Sequence, residues 1–281
     1  MIAVWVMLAG LLMQALPGQP TEFVCPMDKD VRSSVPGKCS RCGMTLEAGV
    51  REPVEYRLGL ETVPRRVVAG KPVELRLELR EPGTGKRAVQ FEAVHERPFH
   101  LFLVGSDLGY FAHEHPEPMG GGRFRLRTTL PKEGIYRVLA DCYPTGGTPQ
   151  LLPAFLTTAG YGRGIGESLG DLAVDLGVQA GKNIEVGLRM EPAVPMAGRQ
   201  TMLFFSVTPG DGLEQYLGAW GHLLTVSRDL VDSLHEHPAW PEAGREIQFN
   251  VFFPREGVYR VWVQFQRLGV VNTVGFTVNV I

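Results

Sequence analysis

The chain of 281 residues has almost no excess charge, with 28 basic and 30 acidic side chains and a net charge of −2. That removes the electrostatic footprint of a nucleic-acid binder or of a protein held on an anionic membrane. Cysteine is scarce, at 4 residues, which excludes a disulfide-dense mini-protein. Neither H-E-x-x-H nor G-x-G-x-x-G occurs, and no general base stands out. Beyond Leu16 no stretch is apolar enough to span a bilayer. Glycine (34) and proline (21) are plentiful but scattered, which favours turns and short strands over a helical bundle or a disordered tract.

One apolar run is present. Ile2–Leu16 is uncharged and is broken by Pro17, Gly18 and Pro20. It is too short for a spanning helix, which needs about 20 residues, and matches a signal-peptide core of about 7–15. Residues 1–20 therefore read as a secretory signal, which implies a secreted or periplasmic protein without a membrane span after signal removal. A short anchor or a buried first strand is the alternative, because no clean cleavage site or basic n-region accompanies the run.

An internal repeat organises the rest. His100–Pro116 (HLFLVGSDLGYFAHEHP) matches His222–Pro238 (HLLTVSRDLVDSLHEHP) at an offset of 122 residues. Leu130-PKEGIYRV matches Phe253-PREGVYRV at an offset of 123. Val73–Leu79, Phe124–Thr128, Ile135–Ala140 and Val258–Val263 alternate as half-buried strands, with turn residues about every 8–12 positions. Asp171–Val178 and Ile184–Met190 read as strands opening the second copy. The fold class is mainly β: a small zinc-ribbon-like leader followed by two tandem Ig-like antiparallel β-sandwiches. The expected boundaries are 21–48 for the leader, 49–159 and 171–281 for the sandwiches, and 160–170 for the linker.

The leader holds three of the four cysteines, in FVCPMDKDVRSSVPGKCSRCGMTL. Cys39-x-x-Cys42 is a two-thiolate chelate whose turn Gly43 permits, and Cys25 supplies a third sulfur. Met27 and Met44 flank these knuckles, and thioether beside thiolate suits Cu(I) as well as Zn(II). A disulfide with one spare thiol is the other reading of these cysteines. The pattern Cys25-Pro-Met27 … Cys39-x-x-Cys42-Gly43-Met44 resembles the small heavy-metal-binding domain found beside copper-efflux adaptors and copper-transporting ATPases. The resemblance implies a metal site on Cys25, Cys39 and Cys42. Where that family usually has His-Pro, this chain has Asp28-Lys29, so Asp28, Met27, Met44 or water must complete the site.

Six of the seven histidines form two triplets, His100/His113/His115 and His222/His235/His237. The i, i+2 pair of each H-x-H shares one strand face. The expected hairpin, centred in Gly105–Leu108, would set His100 directly opposite His113. Three imidazoles on one face suit Cu(II) or Zn(II), whereas hydrogen-bonded structural histidines are the plainer reading. Asp107 and Asp229 read as turn caps, Asp141 and its counterpart Gln264 as partners of a histidine, and Glu92 and Glu214 as histidine-orienting or surface residues. Cys142, which aligns with Phe265, reads as an inert core thiol, and His95 as a surface residue. The repeats also loosely resemble exported bacterial β-sandwich domains near metal-handling systems, which implies fold and location rather than activity.

These readings converge on an exported, non-enzymatic protein that binds copper or zinc ions for sequestration, tolerance or delivery. A metal-efflux or metal-delivery protein is the expected partner. The alternatives are a structural β-sandwich module with incidental histidines, or an enzyme built on a metal held by three histidines.

Overall fold

A computed structural model describes residues 23–28, 31–33, 35–48, 55–145, 147–240 and 246–281. The apolar run Ile2–Leu16 lies outside them, and no helix among the described residues is long and apolar enough to cross a membrane. The chain is mainly β and forms a small ribbon followed by two antiparallel sandwiches.

The ribbon is a three-stranded sheet in the order Arg32–Ser33, Phe23–Val24, Glu47–Ala48. Its knuckle closes through Gly43 N–H to the Cys39 carbonyl (2.9 Å) and Cys39 N–H to the Met44 carbonyl (2.7 Å). Gly43 takes φ of 77°, a conformation other residues adopt at a cost. So small a unit buries little of its own, and its core is completed by Val94 and Tyr143 of the first sandwich. The Tyr143 hydroxyl also donates to Glu47 (2.7 Å).

In the first sandwich one sheet runs Arg57–Val63, Pro72–Arg80, Arg123–Thr129, Glu117–Gly120. The facing sheet runs Gln150–Thr157, Ile135–Pro144, Phe99–Gly105, Phe111–Glu114. Pro72–Arg80 shows why such a sequence makes a half-buried strand. Val73, Leu75, Leu77 and Leu79 all point into the core, and their neighbours point out. The second sandwich repeats the plan, with His222–Ser227 between Gly257–Arg267 and Ser233–Glu236. Both carry the tyrosine corner of Ig-type sandwiches: Tyr136 donates to the Lys132 carbonyl (2.8 Å) and Tyr259 to the Arg255 carbonyl (3.0 Å).

The strands Phe99–Gly105 and His222–Ser227 are buried on both faces. Leu101 and Leu103 pack into the first sandwich's own core, and Leu223 into the second's. The alternate residues Phe102, Val104, Leu224 and Val226 join Leu139 and Trp262 in a third apolar cluster between the sandwiches. Phe111 stacks on Trp262 at 5.1 Å between ring centroids. The nearly continuous apolar runs Leu101-Phe-Leu-Val and Leu223-Leu-Thr-Val thus serve two cores at once.

The connection differs from expectation. Asp171–Val178 is not a strand; only Asp175 pairs, through mutual backbone bonds with Thr277 (2.9 and 3.0 Å). The reason is that Val174 and Val178 of this segment face solvent and bury nothing. Gly170 lies so close to Asp107 that a Cβ would come within 2.3 Å of that residue's carbonyl oxygen. The connection is thereby seated on the first sandwich's hairpin turn.

Candidate metal centres

In the ribbon, the ligand atoms of Cys25, Asp28, Cys39 and Cys42 all lie within 4.8 Å of one another, and all four residues are buried. Cys25 Sγ and Cys42 Sγ are 3.4 Å apart; Asp28 Oδ2 is 3.4 Å from Cys39 Sγ and 3.8 Å from Cys25 Sγ. A tetrahedral zinc with bonds of about 2.3 Å to sulfur and 2.0 Å to oxygen would separate its ligands by about 3.5–3.8 Å. The residues present therefore fit a metal, with Asp28 as the fourth donor beside the three sulfurs. The Asp28 N–H donates to Cys25 Sγ (3.2 Å), the Arg41 N–H to Cys39 Sγ (3.4 Å), and Arg41 Nη1 meets Asp28 Oδ1 at 3.3 Å.

Without metal, these acids share few charges. Hydrogen bonds from Cys25 and Cys42 hold the Cys39 thiol far below its ordinary range. The bond to Cys39 pushes Cys25 up to about 12, and the bonds to Cys25 and Cys39 push Cys42 up. Burial, then the nearby Cys39 charge, raises Asp28 to about 6. A bound ion would displace the retained protons.

Of the two methionines, Met44 is buried in the ribbon's apolar cluster. Met27 lines a cavity of about 10 Å³ together with His95, His100, His235 and His237. The cavity has room for roughly one water.

Each histidine triplet also brings its ligand atoms within 4.8 Å. The hairpin register, however, pairs Phe102 with His113 and Leu101 with Glu114. His113 therefore sits one diagonal step from His100, not opposite it, because the hairpin is centred one residue later than its symmetry suggested, which shifts the pairing by two residues. The shift is an even number, so the shared face survives. His100 Nδ1 lies 3.1 Å from His113 Nε2.

The two triplets do not form separate open faces. Across the interface, ring centroids of one lie 5.5–6.4 Å from those of the other: 5.5 Å for His113–His222 and 6.4 Å for His100–His222. The hydrogen bonds cross reciprocally. His113 Nδ1 donates to Gln264 Oε1 of the second sandwich (2.7 Å), and His235 Nδ1 donates to Asp141 of the first. Within each sandwich, His100 Nε2 donates to the Val94 carbonyl (2.9 Å) and His222 Nε2 to the Tyr216 carbonyl (2.8 Å).

Burial pushes His100, His113, His222 and His237 below the ordinary imidazole range, and lowers His115 to about 4. Neutral imidazole is the form that ligates metal. Burial alone would raise Asp141, but the His235 hydrogen bond outweighs it and holds the carboxyl below its usual range.

His95 is not a surface residue. It is buried, with its ring stacked on His237 at 3.7 Å. It occupies the tight turn Val94–Arg97, whose counterpart Tyr216–Ala219 carries Leu217 at that place, both at positive φ (48° and 52°). The pairing of the two turns was hidden because a histidine faces a leucine in the alignment.

Glu214 accepts from Gln266 (2.8 Å) and from the Gly269 N–H (2.9 Å) rather than from a histidine. Asp107 and Asp229 accept from the backbone N–H groups of Gly109 (2.9 Å) and Val231 (3.1 Å), as turn caps do. Cys142 is buried in the first core. One hydrolase-like spelling, Gly166-Glu-Ser168-Leu-Gly170, falls in the short helix Ile165–Ser168, where the Ser168 hydroxyl donates to the Ile165 carbonyl (2.6 Å). It does not form the strand-to-helix elbow that such a nucleophile needs.

A duplicated Ig-type sandwich behind a cysteine ribbon defines the class of protein. Residues 50–159 and 179–281 match one family over most of the chain, and the chain belongs to that family, described as a domain of unknown function (DUF8832). Residues 23–48 match the heavy metal binding domain. A comparison with curated proteins finds no match. Among solved structures, the Escherichia coli adhesin FdeC is 16% identical, with 85% of this chain and 68% of that chain covered and a TM-score of 0.27. A two-domain fibronectin type-III segment of chicken tenascin is 11% identical, with 82% and 99% covered and a TM-score of 0.22. Scores of that size transfer neither function nor domain arrangement to this chain.

Proposed function

We propose that this is an exported heavy-metal-binding protein that holds copper or zinc and acts in sequestration, tolerance or delivery. The observation that carries the reading is the buried convergence of three sulfurs and one carboxylate, within 4.8 Å, inside the segment that matches the heavy metal binding domain. The two histidine triplets extend the same chemistry to nitrogen ligands. Export rests on the apolar run Ile2–Leu16 with its Pro-Gly break. The expected partner is a metal-efflux or metal-delivery protein that exchanges ions with the ribbon.

Binding rather than catalysis is favoured by how the histidines are enclosed. The cavity that reaches His100, His235 and His237 is about 10 Å³, enough for roughly one water molecule and too small for an organic substrate.

Elemental analysis of the full chain purified from its native compartment, with and without reductant, tests the reading. Copper or zinc should co-purify, and Cys39→Ser with Cys42→Ser should remove the ribbon's share. Metal-depleted protein that takes up neither Cu nor Zn in titration would overturn it.

A further inference from the structure

The hydrogen bonds around the triplets determine which imidazole nitrogens are bare. A carbonyl only accepts, so His100 and His222 carry their protons on Nε2, bonded to Val94 and Tyr216. Their Nδ1 atoms present lone pairs. Gln264 donates its amide to Thr273 (2.9 Å), which turns its oxygen to His113 Nδ1, and a carboxylate faces His235 Nδ1. His113 and His235 therefore present lone pairs on Nε2.

The consequence is that His100 Nδ1 and His113 Nε2 face each other at 3.1 Å as two acceptors with no proton between them. In the other triplet, His222 Nδ1, His235 Nε2 and His237 Nε2 are buried without a hydrogen-bond partner. His115 Nε2 is likewise buried and unpartnered. Buried polar atoms are rarely left so, and a cation on each set of lone pairs satisfies them all.

We infer that the six histidines form one two-ion centre shared between the sandwiches, and that Asp141 makes its halves unequal: the ion on His222, His235 and His237 binds first and more tightly. The inference rests on the metal-binding reading above. The ligands are neutral nitrogens, which suit zinc or copper. His235 is backed by a carboxylate and His113 by an amide. A carboxylate behind a ligating histidine raises its basicity, and removing such a partner typically costs about 10- to 100-fold in affinity. The carboxylate also offsets the ion's charge where water is excluded. Arg97 and Asp141 act on His100 of the other half with opposite sign, so what separates the halves is the carboxylate hydrogen bond to His235.

The test uses the full chain carrying Cys39→Ser and Cys42→Ser, so that the ribbon does not compete, titrated with Zn(II) and separately with Cu(I) under anaerobic reductant. Two ions should bind with distinct affinities. Asp141→Asn should weaken the tighter by about 10- to 100-fold and the weaker by clearly less. Gln264→Glu should tighten the weaker, and Asp141→Asn with Gln264→Glu should reverse the order. His237→Ala should remove the tight site and His115→Ala the weak one, with circular dichroism confirming that each variant folds. Two equal sites, or an order indifferent to both exchanges, would overturn the inequality. No uptake by this variant, where the unaltered chain binds metal at the ribbon, would overturn the histidine centre and leave the ribbon reading intact.

Discussion

His235 and Asp141 are hydrogen-bonded to each other although they lie in different sandwiches, on strands whose outer faces meet. Their bond forms only where the two sandwiches meet. The histidine centre therefore depends on the apolar cluster that docks the two units.

Trp262→Ala should expose that dependence. Trp262 is 5% exposed and fills the inter-sandwich cluster against Phe111. Its truncation should destabilise the fold by about 3–5 kcal/mol and lower metal affinity in both histidine triplets. Denaturant titration and a Zn(II) titration check this; loss of stability with both affinities intact would separate docking from the centre.

Gly43→Ala should weaken the ribbon's hold on metal. A Cβ there would meet nothing within 4 Å, so the cost is the backbone's alone, about 1–2 kcal/mol for a residue forced to φ of 77°. Competition with a chelator should show a roughly 5- to 30-fold loss of ribbon affinity. An unchanged affinity would mean that the turn relaxes without moving Cys39 or Cys42.

Acid should destabilise the metal-free protein. Unfolded histidine titrates near 6.5, whereas burial lowers His95 to about 3 and His115 to about 4 and depresses His222 and His237 well below their ordinary range. The unfolded chain thus binds more protons below pH 6.5, and stability present above that pH is lost as it falls towards 4. Each fully buried histidine contributes up to about 1.4 kcal/mol per pH unit in that window. Denaturant midpoints measured from pH 7.5 to 4.5 should fall with a slope of more than one proton, and saturating Zn(II) should flatten the upper part of the curve. A level profile would contradict neutral buried histidines.

Tyr143→Phe should loosen the ribbon from the first sandwich. The lost bond to Glu47 involves a charged acceptor and contributes about 1.5–3 kcal/mol. Amide hydrogen exchange should quicken in Phe23–Val24 and Glu47–Ala48 but not in the sandwich strands. Uniform exchange would show that Val94 and the apolar contacts suffice.

Much of the fold was legible. Alternation in Val73–Leu79 and the matched His-x-His-Pro segments predicted strands, a duplication and the ligand-bearing faces, because period-2 burial is local to a strand. The cysteine cluster was legible as residues, since the chelate lies within one short segment, but Asp28 was only one of four candidates to complete it. What could not be read was how the sandwiches face each other. The signal was present in the nearly continuous apolar runs after His100 and His222, but buried strands of that kind do not name what covers their second face. His95 was lost for the same reason. Its burial comes from His222 and His237, over 120 residues away. The hairpin register failed by two residues because Asp107 and Asp229 draw the turn towards their own caps.

The reciprocal bonds, His113 to Gln264 and His235 to Asp141, are the contacts a two-fold symmetric dimer makes. A pair of identical chains would have to place the same residue at both positions, two carboxylates or two amides, and its sites would be equal by construction. Joining both units in one polypeptide lifts that constraint. The covalent connection, seated on Asp107 through Gly170, is what lets a two-fold arrangement carry one acid and one amide.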